Sequence, residues 1–280
     1  MTSRRGATVV ALGVVFAWYA IARILEIFPG SIPQTAIVAL DVLGALAFAL
    51  VDGARGYGLR GIVVFAGICV VVGNVVENLG VATGFPFGHY SFVNLMGPKL
   101  WHVPVLLGLA YIGMAYVAWR VAGAIAGPVS FAGARVLALP LLAAAIMTSW
   151  DVAQDPVWAT VLHGWVWRDG GPWFGVPVSN YLGWYGTVLL IYLLFAAYLR
   201  KSGDGVEGSA GPALLFYAVC AAGNVMQILP RQAVGVVADP TGKLWQVGDI
   251  TRASALVSIF VMGGFAVVGW MRQARRSAIG

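Results

Sequence analysis

Apolar residues run along this chain in blocks of about twenty, and short polar or glycine-rich breaks separate them. The blocks fall at Ala7 to Phe28, Gln34 to Val51, Arg60 to Gly80, Trp101 to Arg120, Arg135 to Trp150, Tyr181 to Leu199, Pro212 to Leu229 and Arg252 to Met271. An apolar run of that length matches the hydrocarbon core of a bilayer when helical. The pattern predicts an all-α, polytopic transmembrane helix bundle of about eight spans, built as a single integral-membrane domain over residues 1–280. No internal repeat is visible. The first apolar run is long enough to span, so it reads as a span and not as a cleavable signal.

Two stretches break the pattern. Trp150 to Trp184 (WDVAQDPVWATVLHGWVWRDGGPWFGVPVSNYLGW) carries three aspartates, six tryptophans and repeated Gly/Pro turns. Glu77 to Lys99 (ENLGVATGFPFGHYSFVNLMGPK) has the same mixture of carboxylate, amide, aromatic and helix-breaking residues. Irregular polar backbone next to membrane spans has to be buried in protein or line a cavity, so the chemistry is expected in these two stretches.

Composition agrees with the pattern. Hydrophobic residues make up 60% of the chain and charged residues 10%, with mean hydropathy +0.85, too little polar surface for a soluble globule of this size. The net charge of +6 would suit nucleic acid, but the cations sit at span ends and not on one polar face, so nucleic acid is excluded as a partner. With eight spans, one side collects eleven cations, including Arg4, Arg5, Arg55, Arg60, Arg120, Arg200, Lys201 and Arg276. The other side has five, Lys99, Arg168, Arg231, Lys243 and Arg252, with Arg23 inside a span. By the positive-inside rule both termini are expected in the cytoplasm, the protein in the cell (cytoplasmic) membrane, and the longest, structured loops on the non-cytoplasmic face. The Gly/Ser-rich segment Lys201 to Gly211 reads as a flexible linker. Cys69 and Cys220 lie inside apolar runs and read as small core residues.

The acidic residues separate scaffold from candidate chemistry. Asp52, Asp204 and Glu207 fall at the cytoplasmic edge and are expected to be solvated, while Asp169 (DGG) and Asp239 (ADPTG) read as turn formers. Glu26, Asp41, Glu77, Asp151, Asp155 and Asp249 lie in or at the end of spans, where an unpaired carboxylate costs several kcal/mol. Pairing is the plain explanation for two of them, Glu26 with Arg23 and Asp249 with Arg252, each at helical spacing. Asp41 has no cation near it in sequence and is expected to be a buried, hydrogen-bonded acid facing a cavity. Asn74, Glu77 and Asn78 form one polar patch. Asp151 and Asp155 share a helix face if the helix continues to Pro156, whereas a new helix starting at Pro156 would separate them.

Acids in an apolar, aromatic cavity suit a particular chemistry. Desolvation favours the neutral carboxyl, which can protonate a weak base such as an alkene, and tryptophan or tyrosine faces stabilise the resulting carbocation. Trp150, Trp158, Trp165, Trp167, Trp173 and Trp184 could supply such faces, or could form an interfacial aromatic belt. The glycines of both stretches read as turn and close-approach positions, since no nucleotide-loop pattern follows them. Three histidines, His89, His102 and His163, are too few for a di-iron centre, and no metal ligand set is assigned.

The two stretches together resemble the family of membrane carotenoid-biosynthesis proteins that includes the CruF-type carotenoid hydratases and the bisanhydrobacterioruberin hydratase of halophilic archaea. In the first stretch the likeness rests on Glu77, Leu79 to Val81, Thr83, Gly84, Phe87, Gly88, Tyr90, Gly97 to Leu100, Val103 and Pro104. In the second it rests on Asp151, Asp155 to Val157, Trp165, Trp167, Gly170, Gly171, Phe174 to Pro177, Asn180, Gly183 and Trp184. One position departs: His89-Tyr90-Ser91-Phe92 ends in Phe92 where a second tyrosine is more usual, which bears on substrate choice.

The resemblance implies addition of water across the terminal isoprenoid double bond of an acyclic carotenoid, with no organic cofactor, on a hydrophobic substrate drawn from the bilayer. Association with other enzymes of carotenoid biosynthesis is a further expectation. On this reading Asp155 or Asp151 donates the proton, and the other carboxylate or Glu77 orients or deprotonates water. Asp41, Asn74, Asn78, His89, Tyr90 and Asn180 are the expected polar surroundings, and Trp165, Trp167 and Trp184 the lining of the cation pocket. The rivals are a membrane carotenoid cyclase, a membrane prenyltransferase in which DVAQD and NVVEN hold magnesium diphosphate with help from Lys99, Arg168 and Arg231, and a non-enzymatic lipid or carotenoid transporter.

Overall fold

The computed structural model describes residues 2–28, 30–127, 135–203, 208–229 and 234–279; Asp204, Glu207 and Arg231 lie outside them. Among the described residues six helices are long and apolar enough to cross a membrane. They are α1 (Thr2–Leu25), α2 (Gln34–Thr83), α3 (Val105–Ala126), α4 (Arg135–Pro156), which runs on into a π-turn at Val157–Val161, α5 (Val178–Ser202), and the rod formed by α7 (Val247–Val257), a π-turn (Ser258–Met262) and α8 (Gly263–Ile279). The shorter apolar helix α6 (Gly211–Met226) completes the bundle.

The 50-residue α2 is two rods. Gly58 breaks it with φ 70° and ψ 169°, a conformation that glycine adopts without a Cβ clash. A methyl group placed on Gly53 would run into the side chain of Ile62, although nine residues of straight helix would separate them by about 13.5 Å. The chain therefore reverses at Gly58, and arms 34–57 and 59–83 lie antiparallel. Counted this way the described residues form eight rods, at the positions of the eight apolar runs, with ends shifted by a few residues. The outward faces carry Val10, Val14, Leu59, Val63, Leu182 and Phe260, all exposed, as expected of a lipid-facing surface.

α3 is the central rod and is buried over most of its length. It packs against both arms of α2 and against α4, α6 and α8. The first arm of α2 approaches closely where Ala45 meets Gly113, and the second where Tyr111 meets Gly73. Toward α1 and α6 the core is aromatic: Phe216 stacks on Phe48 at 4.4 Å and lies 4.3 Å from Tyr19.

Because the rods alternate in direction, the three long connections all emerge at one end. Among the described residues they carry three two-stranded ribbons: β1 (Tyr90–Phe92) with β4 (Trp165–Trp167), β2 (Lys99–Leu100) with β3 (Val103–Pro104), and β5 (Val236–Ala238) with β6 (Leu244–Gln246). Asp239 lies in the turn of the last ribbon. Its Oδ1 accepts hydrogen bonds from the Thr241 amide (2.9 Å), the Thr241 hydroxyl (2.6 Å) and the Lys243 amide (3.2 Å), and its Oδ2 accepts from Trp245 Nε1 at 2.9 Å. Burial alone would push the Asp239 carboxyl up. The bonds from Thr241, Trp245 and Lys243 outweigh it and hold the group below the ordinary carboxylate range. A lowered folded-state value means that ionised Asp239 stabilises the protein above the ordinary range and loses that contribution as the pH falls through its own value. Asp239→Asn is expected to lower stability by about 1–3 kcal/mol at neutral pH, and thermal unfolding in detergent should show the gap closing in acid.

At the opposite end the expectation for Asp52 is corrected. It is fully buried and not solvated. Its Oδ2 accepts from Tyr116 Oη at 2.7 Å and lies 3.5 Å from Arg120 Nη1, while Oδ1 pairs with Arg55. The reversal at Gly58 tucks Asp52 under the last turns of α3. Arg55 and Arg120 also donate to the carbonyl of Ser209 at 2.8 and 2.9 Å, so this part of the Gly/Ser-rich segment is docked on the bundle.

Candidate active site

The two unusual stretches meet through the β1–β4 ribbon. Tyr90 pairs with Trp167, Ser91 with Val166 and Phe92 with Trp165. Alternation along a strand puts Tyr90, Phe92, Trp165 and Trp167 on one face, and that face closes over a cavity at the loop-bearing end. Glu77, Phe87, Leu107, Asp151, Asp155, Asn180 and Trp184 complete its lining. The cavity measures about 20 Å³ for the centre of a water molecule, which is room for one water.

α4 continues as helix through Pro156 into the π-turn, so Asp151 and Asp155 do share a face. Both are buried. The Asn180 amide, from the first turn of α5, bridges them: Nδ2 lies 2.6 Å from Asp155 Oδ2 and 3.3 Å from Asp151 Oδ2. Trp165 Nε1 donates to the other Asp155 oxygen at 2.7 Å. Asp155 therefore has an N–H donor on each oxygen, whereas Asp151 has one long contact. The acids differ in environment although they are one helical turn apart.

Glu77, from the second arm of α2, faces this pair. Its Oε1 accepts from Tyr111 Oη at 2.7 Å, and its Oε2 accepts a short bond from Tyr90 Oη. Burial and the Glu77 carboxylate push the Tyr90 phenol up, so Tyr90 keeps its proton and stays a donor. Gly80 is required here: a Cβ would meet the Phe87 ring and the Tyr90 hydroxyl. Tyr111 also stacks on Trp184, with ring centroids 4.7 Å apart and planes 8° from parallel. Trp158 stacks on Trp165 in the same way at 6.0 Å.

A second cavity of about 50 Å³ adjoins the first, sharing Leu107, Asp151, Trp165 and Trp184 and adding Asp41, Gln154, Trp150 and Trp158. Asp41 is thus at a cavity wall, and it also has a cation that the local sequence does not offer. Arg23, buried in α1, lies 3.5 Å from Asp41, 2.8 Å from Glu26 and 2.8 Å from Asn224. The Arg23–Glu26 pair expected from spacing is present, as is Arg252–Asp249 at 3.1 Å on the surface.

The remaining candidates lie elsewhere. His89 is exposed and pairs at 2.7 Å with Asp169, itself expected to be only a turn former. Asn78 donates to the Asn74 carbonyl at 2.8 Å and accepts from the His102 amide at 3.0 Å. Neither Asn74 nor Asn78 lines either cavity. Four of the six tryptophans of the second stretch turn inward and not toward lipid. Trp150, Trp158, Trp167 and Trp184 are buried, and Trp173 donates to the Val152 carbonyl at 3.1 Å. Phe92, where the sequence departs from the resemblance, is a wall of the acid cavity and meets Trp165 edge-on at 6.3 Å.

Tyr111, Leu107 and Gln154 are site residues that sequence reading passes over, and Phe87 enters it only as part of the resemblance. Gln154, an amide between Asp151 and Asp155, carries a usable signal, whereas Tyr111 has no polar neighbour in sequence. Among the described residues no group of three or more His, Cys, Asp or Glu is placed to hold a metal ion, and none of the residues lining the acid cavity is a cation.

No curated protein and no solved structure matches the chain. A profile of the family described as "Carotenoid biosynthesis protein" matches residues 36–238. That stretch begins in the first arm of α2, ends in β5, and contains Glu77, Asp151, Asp155, Asn180 and both strands of the ribbon over the cavity. The match covers well over half of a chain whose acids and aromatics converge in its middle, and the chain belongs to the carotenoid biosynthesis protein family.

Proposed function

We propose that this protein is a carotenoid hydratase, adding water to the terminal isoprenoid double bond of an acyclic carotenoid. The observation that carries the reading is the pair Asp151 and Asp155, bridged by Asn180 and facing Glu77, in an aromatic cavity with room for one water. Asp151 is the proton donor, because Asp155 already has an N–H on each oxygen and is held as the acceptor. The proton goes to the less substituted alkene carbon, the π electrons form the new C–H bond, and a tertiary cation remains. The faces of Trp165, Trp167 and Trp184 stabilise it. Water then forms the C–O bond and gives a proton to Asp155, and transfer back to Asp151 closes the cycle. Glu77, fixed by two tyrosines, holds its oxygens toward the water and gives the pocket negative charge matched to the cation.

Among the described residues no cation lines the cavity, which weighs against a diphosphate-binding prenyltransferase, and the space for water weighs against a cyclase, which must exclude it. On this reading the substrate enters from the bilayer and other pathway enzymes supply and consume it; the charge bias supports a cytoplasmic-membrane protein with both termini in the cytoplasm. Expression in a host that accumulates an acyclic carotenoid tests the reading by mass analysis of the pigments. A gain of one or two waters is expected. A ring with no hydroxyl, or unchanged pigment from well-expressed protein, would contradict it.

A further inference from the structure

The acid cavity and its neighbour measure about 20 and 50 Å³, enough for water and a terminus but not for a long polyene. The chain of such a substrate has to leave this space somewhere. On the far side of Trp158 lies a chamber of about 310 Å³, whose described lining includes Ile37, Val38, Val161, Leu162 and Val247. Trp158 is a wall of both the 50 Å³ cavity and this chamber, and no other described residue is shared between them. It sits on the π-turn that follows Asp155, stacked on Trp165, whose indole N–H holds the Asp155 carboxylate. One indole therefore stands between the acids and a roomy, mostly apolar chamber, with Glu26, Gln34, Gln227 and Thr251 as the polar part of its described lining.

We propose that this chamber is the subsite for the chain of an acyclic polyene whose reacting end lies among Asp151, Asp155 and Glu77, and that Trp158 governs passage into it. The proposal rests on the hydratase reading for its substrate and adds where the chain lies and which side chain controls length. A π-turn suits the role, since its extra residue per turn displaces the side chains it carries from the regular helical faces.

The test compares two probes with the same trisubstituted terminal double bond: lycopene, a long acyclic polyene, and citronellol, two isoprene units long. Filling the chamber with Val161→Trp should lower the ratio of lycopene to citronellol hydration at least about tenfold, and Trp158→Ala should raise it. Ile37→Phe fills the chamber from another rod and serves if Val161→Trp does not fold. An unchanged ratio in the folded chamber-filling variants would overturn the proposal. If the unaltered protein hydrated neither probe, the hydratase reading would fail, and the subsite would be judged by lycopene binding, followed through its absorbance. Binding lost with the chamber filled supports the subsite, and binding retained refutes it.

Discussion

Asp151→Asn is expected to reduce hydration by about a thousandfold or more, within the range that removal of a general acid produces, while the protein unfolds at nearly the same temperature. The substitution keeps the shape of the side chain, and its carbonyl can still accept the 3.3 Å contact from Asn180. Only the transferable proton is lost. Asp155→Asn should behave differently, although it lies one turn away on the same face. Both Asp155 oxygens accept N–H bonds, from Trp165 at 2.7 Å and Asn180 at 2.6 Å, so an amide there must oppose a donor with a donor. That variant should lose activity and also about 1–3 kcal/mol of stability. Turnover and thermal unfolding measured on both variants separate the roles. Equal loss of stability in the two would contradict the assignment of Asp151 as donor.

Arg23→Met should destabilise the bundle by about 3–5 kcal/mol, the largest stability effect expected of a single substitution here. Arg23 is buried in α1 and is the cation for Glu26 at 2.8 Å and Asp41 at 3.5 Å, with a further bond to Asn224 on α6. Removing it leaves two carboxylates within the bundle without their shared partner, in a region where each would have to take up a proton or draw in water. The same reasoning predicts rescue. With Glu26→Gln and Asp41→Asn added, no buried charge is orphaned, and most of the loss should be recovered. Urea or thermal unfolding of the single and triple variants in the same detergent checks this. A triple variant as unstable as Arg23→Met alone would show that Arg23 acts by packing and not as a counter-charge.

The fold was legible wherever twenty-residue apolar runs carried it. The eight rods lie where the hydropathy breaks suggest, including the reversal at Gly58, because Gly-Tyr-Gly between two apolar runs is as visible in sequence as in space. The ribbons were not legible, since strands of two or three residues contain too little alternation to stand out from a turn-rich loop. A polar residue is hard to read when the contact that buries it is distant in sequence. Arg23 and Glu26, three apart, read as a pair, whereas Asp52 reads as solvated: its partner Arg55 is also three residues away, but Tyr116, which covers it, is 64 away. Asp41 and Glu77 follow the same rule, with Arg23 18 residues and Tyr111 34 residues distant. The convergence of Glu77, Asp151, Asp155 and Asn180 was foreseeable only as a shared texture of two stretches, and the β1–β4 pairing that joins those stretches is a long-range contact that no local signal encodes.

In the proposed reaction Asp151 delivers a proton to an alkene, and water from the same cavity captures the cation. Turnover of an acyclic carotenoid by the purified protein in heavy-oxygen water, with a parallel reaction in deuterium oxide, tests it most directly. One heavy oxygen in each new tertiary hydroxyl and one deuterium on the adjacent carbon are expected, with both lost in Asp151→Asn. A product with deuterium but no heavy oxygen, or with neither, would contradict it.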